Sequence, residues 1–248
     1  VLVEINRQMS TYDPESEISK LNDLQSDNWF SVSQDFYHVL SKAKQLSQQS
    51  NGLFDITVMP LVTLWGFRFS EKDPDWQPPD QQKIDSVLSH TGSQYFELDI
   101  NKFRKVKPTL QIDVNAIAKG YGVDRLADTR VAFGFSAGLV GIDGEMRAMG
   151  LRPDGAPWNV AVEAPDTERR TPHSVIALHD AAVATSGDYR HWIEVQGRRL
   201  SHTMDPTRGA PLLAPPASVT VIAQTCAQAD AWATALMVLG VKAGAKLA

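Results

Sequence analysis

The chain has one cysteine, Cys226, in 248 residues. A single thiol can form neither an intramolecular disulfide nor a cysteine-based zinc site, so Cys226 reads as a small buried apolar side chain. A basic excess is missing as well. The 24 Lys and Arg stand against 29 Asp and Glu, a net charge of −5, whereas nucleic-acid binders carry a basic balance or stripe. No apolar run approaches the ~20 residues that cross a bilayer, which predicts no transmembrane segment in this chain. The six histidines never fall at His-x-x-x-His spacing, which argues against a zinc hydrolase. Low-complexity tracts, strong repeats and a clear interdomain linker are also absent.

What is present is ordinary globular composition, 43% hydrophobic and 21% charged. It suits a single domain over 1–248, built as one body or as two intimate lobes. The chain opens at Val1-Leu2-Val3 and closes at Lys246-Leu247-Ala248. Both ends lie inside helical patterns, which predicts a fragment trimmed at each end. Residues 1–50 read as mostly helical. Leu2, Ile5 and Met9 share one face of the first helix, and Ser16 caps a short helix through Leu21. Phe36, Val39, Leu40, Ala43 and Leu46 form the apolar stripe of a longer helix that ends at Asn51-Gly52. A loop over 69–81 carries Asp73, Pro74, Asp75, Pro78 and Pro79. Helices are predicted over 82–89, 113–130 and 227–239, the last stopped by Gly240. Strands are predicted over 96–100 and 105–112 as a pair, then over 136–141, 158–163, 174–178, 182–185, 192–195 and 218–223. Many strands after residue 135 follow one another without regular intervening helices, which favours an α+β fold over a doubly wound one.

Several stretches carry chemistry. Asp230 and Thr234 stand at i and i+4, so a carboxylate and a hydroxyl project from one helix face. With a backbone carbonyl, substrate phosphates and water they would complete an oxygen-only magnesium shell. The plainer account puts Asp230 near a helix N-terminus for dipole reasons and packs Thr234. Asp113 sits at the predicted cap of a small-residue helix start that also holds Lys119, able to hold a phosphate or simply to cap and solvate. Thr185-Ser186-Gly187-Asp188-Tyr189-Arg190 ends a strand in a hydroxyl- and glycine-rich turn that offers groups to an anion or is an ordinary turn. Asp55, in the apolar run Phe54-Asp55-Ile56-Thr57, could sit on a strand and asks for a partner, either a backbone amide or a polar ligand atom. Tyr12 at a turn tip can stack on a planar ring or pack on the surface. Trp65 reads as core. His202 lies between a strand ending at Ser201 and the Asp205-Pro206 turn, on a loop positioned by the scaffold. His173, His179 and His191 sit among charged, exposed neighbours.

Taken in order, these motifs resemble a known family. The series is Met9-Ser10-Thr11-Tyr12-Asp13-Pro14 with Ser16-Glu17-Ile18, then Gly52-Leu53-Phe54-Asp55-Ile56-Thr57 through Trp65-Gly66-Phe67. It continues with Asp113, Ala116, Lys119-Gly120-Tyr121 and Ala184-Thr185-Ser186-Gly187-Asp188-Tyr189-Arg190. Ser201-His202, Asp205-Pro206, Gly209 and Pro211 follow, and Ala229-Asp230-Ala231 with Thr234 closes it. This order is similar to the FAD:protein FMN transferases, formerly called thiamine biosynthesis lipoproteins, the ApbE family. The resemblance covers nearly the whole chain. It implies a T-fold-like architecture, with antiparallel and mixed sheets packed against helices. It also implies magnesium-dependent transfer of FMN from FAD to a Ser or Thr of an acceptor electron-transfer protein, with release of AMP. The implied location is periplasmic or envelope-facing. By the same resemblance Asp230, Thr234 and the Ala116 carbonyl match metal ligands. Tyr12 matches the flavin-stacking position, and Leu53, Phe54, Asp55, Asp113, Lys119 and Met204 match FAD-contacting positions. His202 matches the residue that acts on the acceptor hydroxyl. Two other readings stay open beside it: an FAD pyrophosphatase giving FMN and AMP, against which Tyr12 speaks, and a non-catalytic flavin-binding assembly factor. The chain departs from its relatives at Asn115 and Asp143, where many carry glycine, and in the order of Thr207-Arg208.

Overall fold

Short polar side chains ahead of apolar runs start several of the helices. Ser16 Oγ accepts the Ser19 amide at 3.1 Å ahead of Glu17–Asp23. Asp80 accepts the Lys83 amide at 2.8 Å ahead of Gln81–Leu88. Thr225 Oγ1 accepts the Gln228 amide at 3.3 Å ahead of Cys226–Leu239. Each satisfies one of the amides that a helix start leaves without a partner. The computed structural model describes residues 1–67, 76–166, 168–188, 192–195 and 198–247, with the backbone alone for 192–195, 198–199 and 247. Antiparallel sheets and helices mix through the chain, the α+β fold that the strand clustering predicts. They divide into two compact units, one of Val1–Leu2, Ala116–Arg190 and Pro216–Ala248, the other of Val3–Asn115 and His191–Pro215.

In the first unit a four-stranded antiparallel sheet runs in the order Ser218–Ala223, Ala182–Gly187, Glu145–Met149, Gly138–Ile142. Thr220 pairs with Thr185, Met146 with Val183, and Val140 with Arg147. The strand Glu145–Met149 was not foreseen. It follows a two-residue turn, Asp143-Gly144, where φ is 47° and 109°, the positive-φ geometry that matches strand twist in a tight hairpin. Helix Cys226–Leu239 lies on this sheet. Its buried Ala227, Ala229, Ala231, Ala233 and Ala235 let it sit close, and Cys226 is buried among them as expected. A separate ribbon pairs Trp158–Glu163 with Pro172–Leu178. Ala148, Val160, Leu178 and Val183 form a core cluster of this unit.

The second unit carries a three-stranded sheet in the order Phe30–Ser31, Lys102–Lys105, Phe96–Asp99. Helix Gln34–Gln49 buries Phe36, Val39, Leu40, Ala43 and Leu46, the predicted stripe, and Asn51 and Gly52 follow it with φ of 53° and 81°. Ile5 and Met9 are buried as expected, while Leu2 is 40% exposed. The hairpin register differs from expectation. Asn101 at φ 54° turns the chain early, so the second strand is Lys102–Lys105 and the residues up to Ile112 are not strand. Phe54-Asp55-Ile56-Thr57 is not a strand either. Asp55 takes the Thr57 amide at 2.8 Å, and a short 3-10 turn, Ile56–Val58, leads into helix Met59–Leu64. The local carboxylate-to-amide bond competes successfully with extension. Trp65 is core, as read, and its indole N–H donates to the Gly209 carbonyl at 2.9 Å. Gly209 has φ 64°, and a Cβ there would come within 2.8 Å of Ile84 and Leu88, so only glycine fits. Most of the predicted 69–81 loop lies outside the described residues.

Lys105 is the main polar strut of this unit. It is 2% exposed, and its ammonium donates to the carbonyls of Asn22 (3.1 Å), Leu24 (2.7 Å) and Pro108 (3.3 Å). Burial pulls its pKa down to about 8, so it remains an ammonium at neutral pH. Lys105→Met strands three carbonyls without their donor. We expect it to cost about 3 kcal/mol of unfolding free energy, read as a fall in the urea midpoint with an unchanged slope. A midpoint within experimental error of the parent would mean that water replaces the ammonium.

Candidate functional site

Asp230 lies in an alanine-rich, apolar helix, and it is 6% exposed. A carboxylate in such a place needs a partner, and Oδ2 accepts the Gly120 amide at 3.0 Å. That bond requires helix Asn115–Ala132 to press against the start of helix Cys226–Leu239. Gly120 allows it: a Cβ there would stand 2.5 Å from the Cys226 carbonyl oxygen. In a regular helix the Gly120 amide answers the Ala116 carbonyl, so Asp230 and the Ala116 oxygen are directed at the same N–H. Among the described residues no group donates to the other Asp230 oxygen. One turn on, Thr234 Oγ1 is 3.2 Å from Ser186 Oγ. Ser186 stands on the strand Ala182–Gly187, which corrects the turn expected there, since the ladder extends through Ser218 and Gly187. Tyr189, Arg190 and His191 lie outside the described residues.

Lys119, the residue before Gly120, brings its ammonium to 2.9 Å from Glu145 Oε2, an ion pair. Glu145 is 3% exposed. Burial pushes its carboxyl above the ordinary range against the pull of Lys119. For Lys119, burial opposes the charge, but Glu145, then Asp230 and Asp143, outweigh it and raise the pKa. Burial, and then the Glu145 charge, push Asp230 up to about 7, against the Gly120 amide and Lys119. The first unit thus brings together Ala116, Lys119, Asp230 and Thr234 and adds Glu145, which sequence reasoning passed over. The Asp143-Gly144 turn ahead of a strand was the available signal for it.

The dipole role considered for Asp230 belongs to Asp124 instead. Its two oxygens accept the Cys226 and Ala227 amides at 2.8 and 2.9 Å, and Oδ1 also pairs with Arg147 at 2.9 Å. That helix N-terminus is therefore filled by the protein's own carboxylate. Among the described residues no three His, Cys, Asp or Glu side chains converge on a metal position. The arrangement suits magnesium held by few protein oxygens, with waters and substrate phosphates completing the shell. One buried carboxylate with an open oxygen, one hydroxyl and one helix carbonyl are of that kind.

In the second unit the Asp113 amide donates to the Ile56 carbonyl at 2.7 Å, which sets Asp113 beside the Leu53-Phe54-Asp55 segment. Helix Asn115–Ala132 begins later than expected, and Asp113 precedes it by two residues, its Oδ1 accepting the Asn115 amide at 2.8 Å. The Asn115 side chain donates to Asp113 Oδ2 at 3.3 Å. Phe54 is buried and Leu53 half-buried. Asp55 accepts both the amide and the hydroxyl of Thr57; burial raises its pKa, with Thr57 opposing. Met204 packs in a core cluster with Leu61, Trp65, Ile84 and Leu200. Tyr12 lies in an exposed turn, with 82% of its surface open. His202 is exposed on a bulge. The Ser201 amide donates to Leu212 O at 3.4 Å and the Leu212 amide to Thr203 O at 3.1 Å, so three residues face one. Ser201 Oγ accepts the Thr203 amide at 3.1 Å and closes the bulge, a device that re-aims a side chain outward. His173 and His179 are exposed, His179 lying 3.1 Å from Asp180.

The sequence model of the ApbE family matches residues 1–248. A Vibrio cholerae protein named FAD:protein FMN transferase is 41% identical over 248 residues, all of this chain and 74% of that protein. The Escherichia coli K12 protein of the same name is 37% identical over 240 residues, covering 94% of this chain and 67% of its own length. Among solved structures, flavin transferase ApbE from Vibrio cholerae superposes with a TM-score of 0.86 at 40% identity, over 99% of this chain and 78% of that one. The apo flavinyl transferase ApbE of Pseudomonas stutzeri gives 0.88 at 38% identity, over 99% and 76%.

Proposed function

The chain belongs to the ApbE family and is a flavin transferase, and from that premise we propose that it uses magnesium to move FMN from FAD onto a Ser or Thr hydroxyl of an acceptor protein, releasing AMP. The observation that carries this reading is Asp230: a buried carboxylate with one oxygen open, next to the Thr234 hydroxyl and the Lys119–Glu145 pair. Asp230, Thr234 and the Ala116 carbonyl would hold the ion. When bound, it neutralises the diphosphate charge that otherwise resists attack. Lys119, paired with Glu145, would add a compact positive charge beside the phosphates.

The acceptor oxygen bonds to the FMN phosphorus, and the bond from that phosphorus to the bridging oxygen breaks. AMP leaves with the bridging oxygen, and the hydroxyl proton passes to His202. A hydroxyl is a weak nucleophile at neutral pH, and an unprotonated imidazole is a suitable base for it. Leu53, Phe54, Asp55, Asp113 and Met204 are the proposed FAD-contacting residues of the second unit, with Tyr12 stacking on the flavin ring. Tyr12→Ala should then lose about 1–3 kcal/mol of FAD affinity, on the scale of other base–aromatic stacks. Fluorescence titration measures this, and an unchanged Kd would leave Tyr12 a surface residue.

We further propose an envelope-facing or periplasmic location and an electron-transfer protein as acceptor. Among the described residues no helix is long and apolar enough to cross a membrane. Incubation with FAD, magnesium and a candidate acceptor, followed by mass spectrometry, tests the reaction. Acceptor heavier by covalently bound FMN supports transfer. Free FMN and AMP would make the protein a pyrophosphatase, and intact FAD would make it a carrier.

A further inference from the structure

Helix Asn115–Ala132 and strand Glu145–Met149 are joined by ion pairs of opposite polarity. Lys119 pairs with Glu145, and Asp124 and Asp128 pair with Arg147. Glu145 and Arg147 are two apart on a strand and so share a face. Sliding the strand by one pair would set like charges together, so the register of this contact is specified. The Asp143-Gly144 turn then delivers Glu145 opposite Ile142, with its carboxylate 3% exposed. Burying a carboxylate in this way is costly for stability and weak evidence for a purely structural role.

Lys119 adjoins Gly120, whose amide holds Asp230. The ammonium therefore stands within the field of two buried carboxylates, Glu145 and Asp230, and its ion pair is with Glu145. A lysine stem is flexible and its charge compact. With Glu145 gone, Asp230 becomes the nearest buried carboxylate for that charge. The ammonium would then take the oxygen that a metal ion needs.

We propose that Glu145 is a positioning residue: it engages the Lys119 ammonium, keeps it off Asp230, and so leaves Asp230 open to magnesium. This rests on the reading of Asp230 as a metal ligand. Glu145 need not touch the ion or FAD to act in this way.

The test is calorimetric titration of magnesium, in saturating FAD, into the parent protein, Glu145→Gln, Lys119→Met and the double variant. Circular dichroism checks the folding of each. Glu145→Gln should weaken magnesium binding tenfold or more. The double variant should return to within about threefold of Lys119→Met, because no ammonium remains to compete. A purely structural role for Glu145 would not give this recovery, since removing Lys119 cannot repair a damaged fold. The proposal is overturned if Glu145→Gln binds magnesium like the parent, or if the double variant stays as weak as Glu145→Gln. If the parent itself takes up no magnesium, the metal reading of Asp230 falls, and this inference falls with it.

Discussion

Asp230→Asn is expected to abolish magnesium-dependent flavin transfer and, in the same protein, to raise the melting temperature of the metal-free form at pH 8. The two effects have one cause. Burial, with the neighbouring Glu145 charge, holds the Asp230 carboxyl at about pKa 7, against about 3.9 in an unfolded chain. Between about pH 4 and 7 the native state keeps a proton that the unfolded chain has released. Stability therefore falls as pH rises through that window, and above 7 the full penalty of the buried charge is present. Asparagine cannot ionise, yet it still offers an oxygen to the Gly120 amide. The gain at pH 8 should be on the order of 4 kcal/mol. Melting both proteins in EDTA across pH 4–8 measures it. The gap should widen toward pH 8 and close toward pH 4. Equal melting temperatures at pH 8 would mean that Asp230 is not held as a strained charge, and full turnover of the variant in magnesium would remove it from the metal site.

His202→Ala should bind FAD nearly as well as the parent but transfer FMN about 10²–10⁴-fold more slowly, the usual loss for a missing general base. The bulge that presents His202 is tied by the Ser201 and Leu212 amides and by Ser201 Oγ, so its shape should survive the substitution. The parent rate should also fall as the pH is lowered, because a protonated imidazole accepts no proton. If His202 merely braces the Asp205-Pro206 turn, melting temperature and FAD affinity will drop together and the pH profile will stay put. Binding, rate and melting temperature on this one variant separate the two roles. A normal transfer rate would take His202 out of the chemistry altogether.

Much of this protein is local and could be read directly from the residue order. The Phe36–Leu46 stripe, the Ser16 cap, the Asn51-Gly52 stop and the i, i+4 spacing of Asp230 and Thr234 each depend on residues within a turn or two of one another. Helix periodicity and capping operate at that range, and the motif series pointed to the family by the same means. Other features required the chain to fold. Asp55 takes the Thr57 amide two residues on and starts a 3-10 turn where a strand was expected, and Asn101 shortened the predicted second strand by turning early. The site was decided at longer range still. The Gly120 amide meets Asp230 from 110 residues away, and Asp124 fills a helix N-terminus 102 residues ahead of it in the chain. Glu145 became part of the site only when the Asp143-Gly144 hairpin laid its strand along helix Asn115–Ala132. Such contacts arise where two backbones can approach without a Cβ between them, as at Gly120, and where buried charges must find partners. Neither condition leaves a periodic trace along the sequence, so only the tertiary structure could settle them.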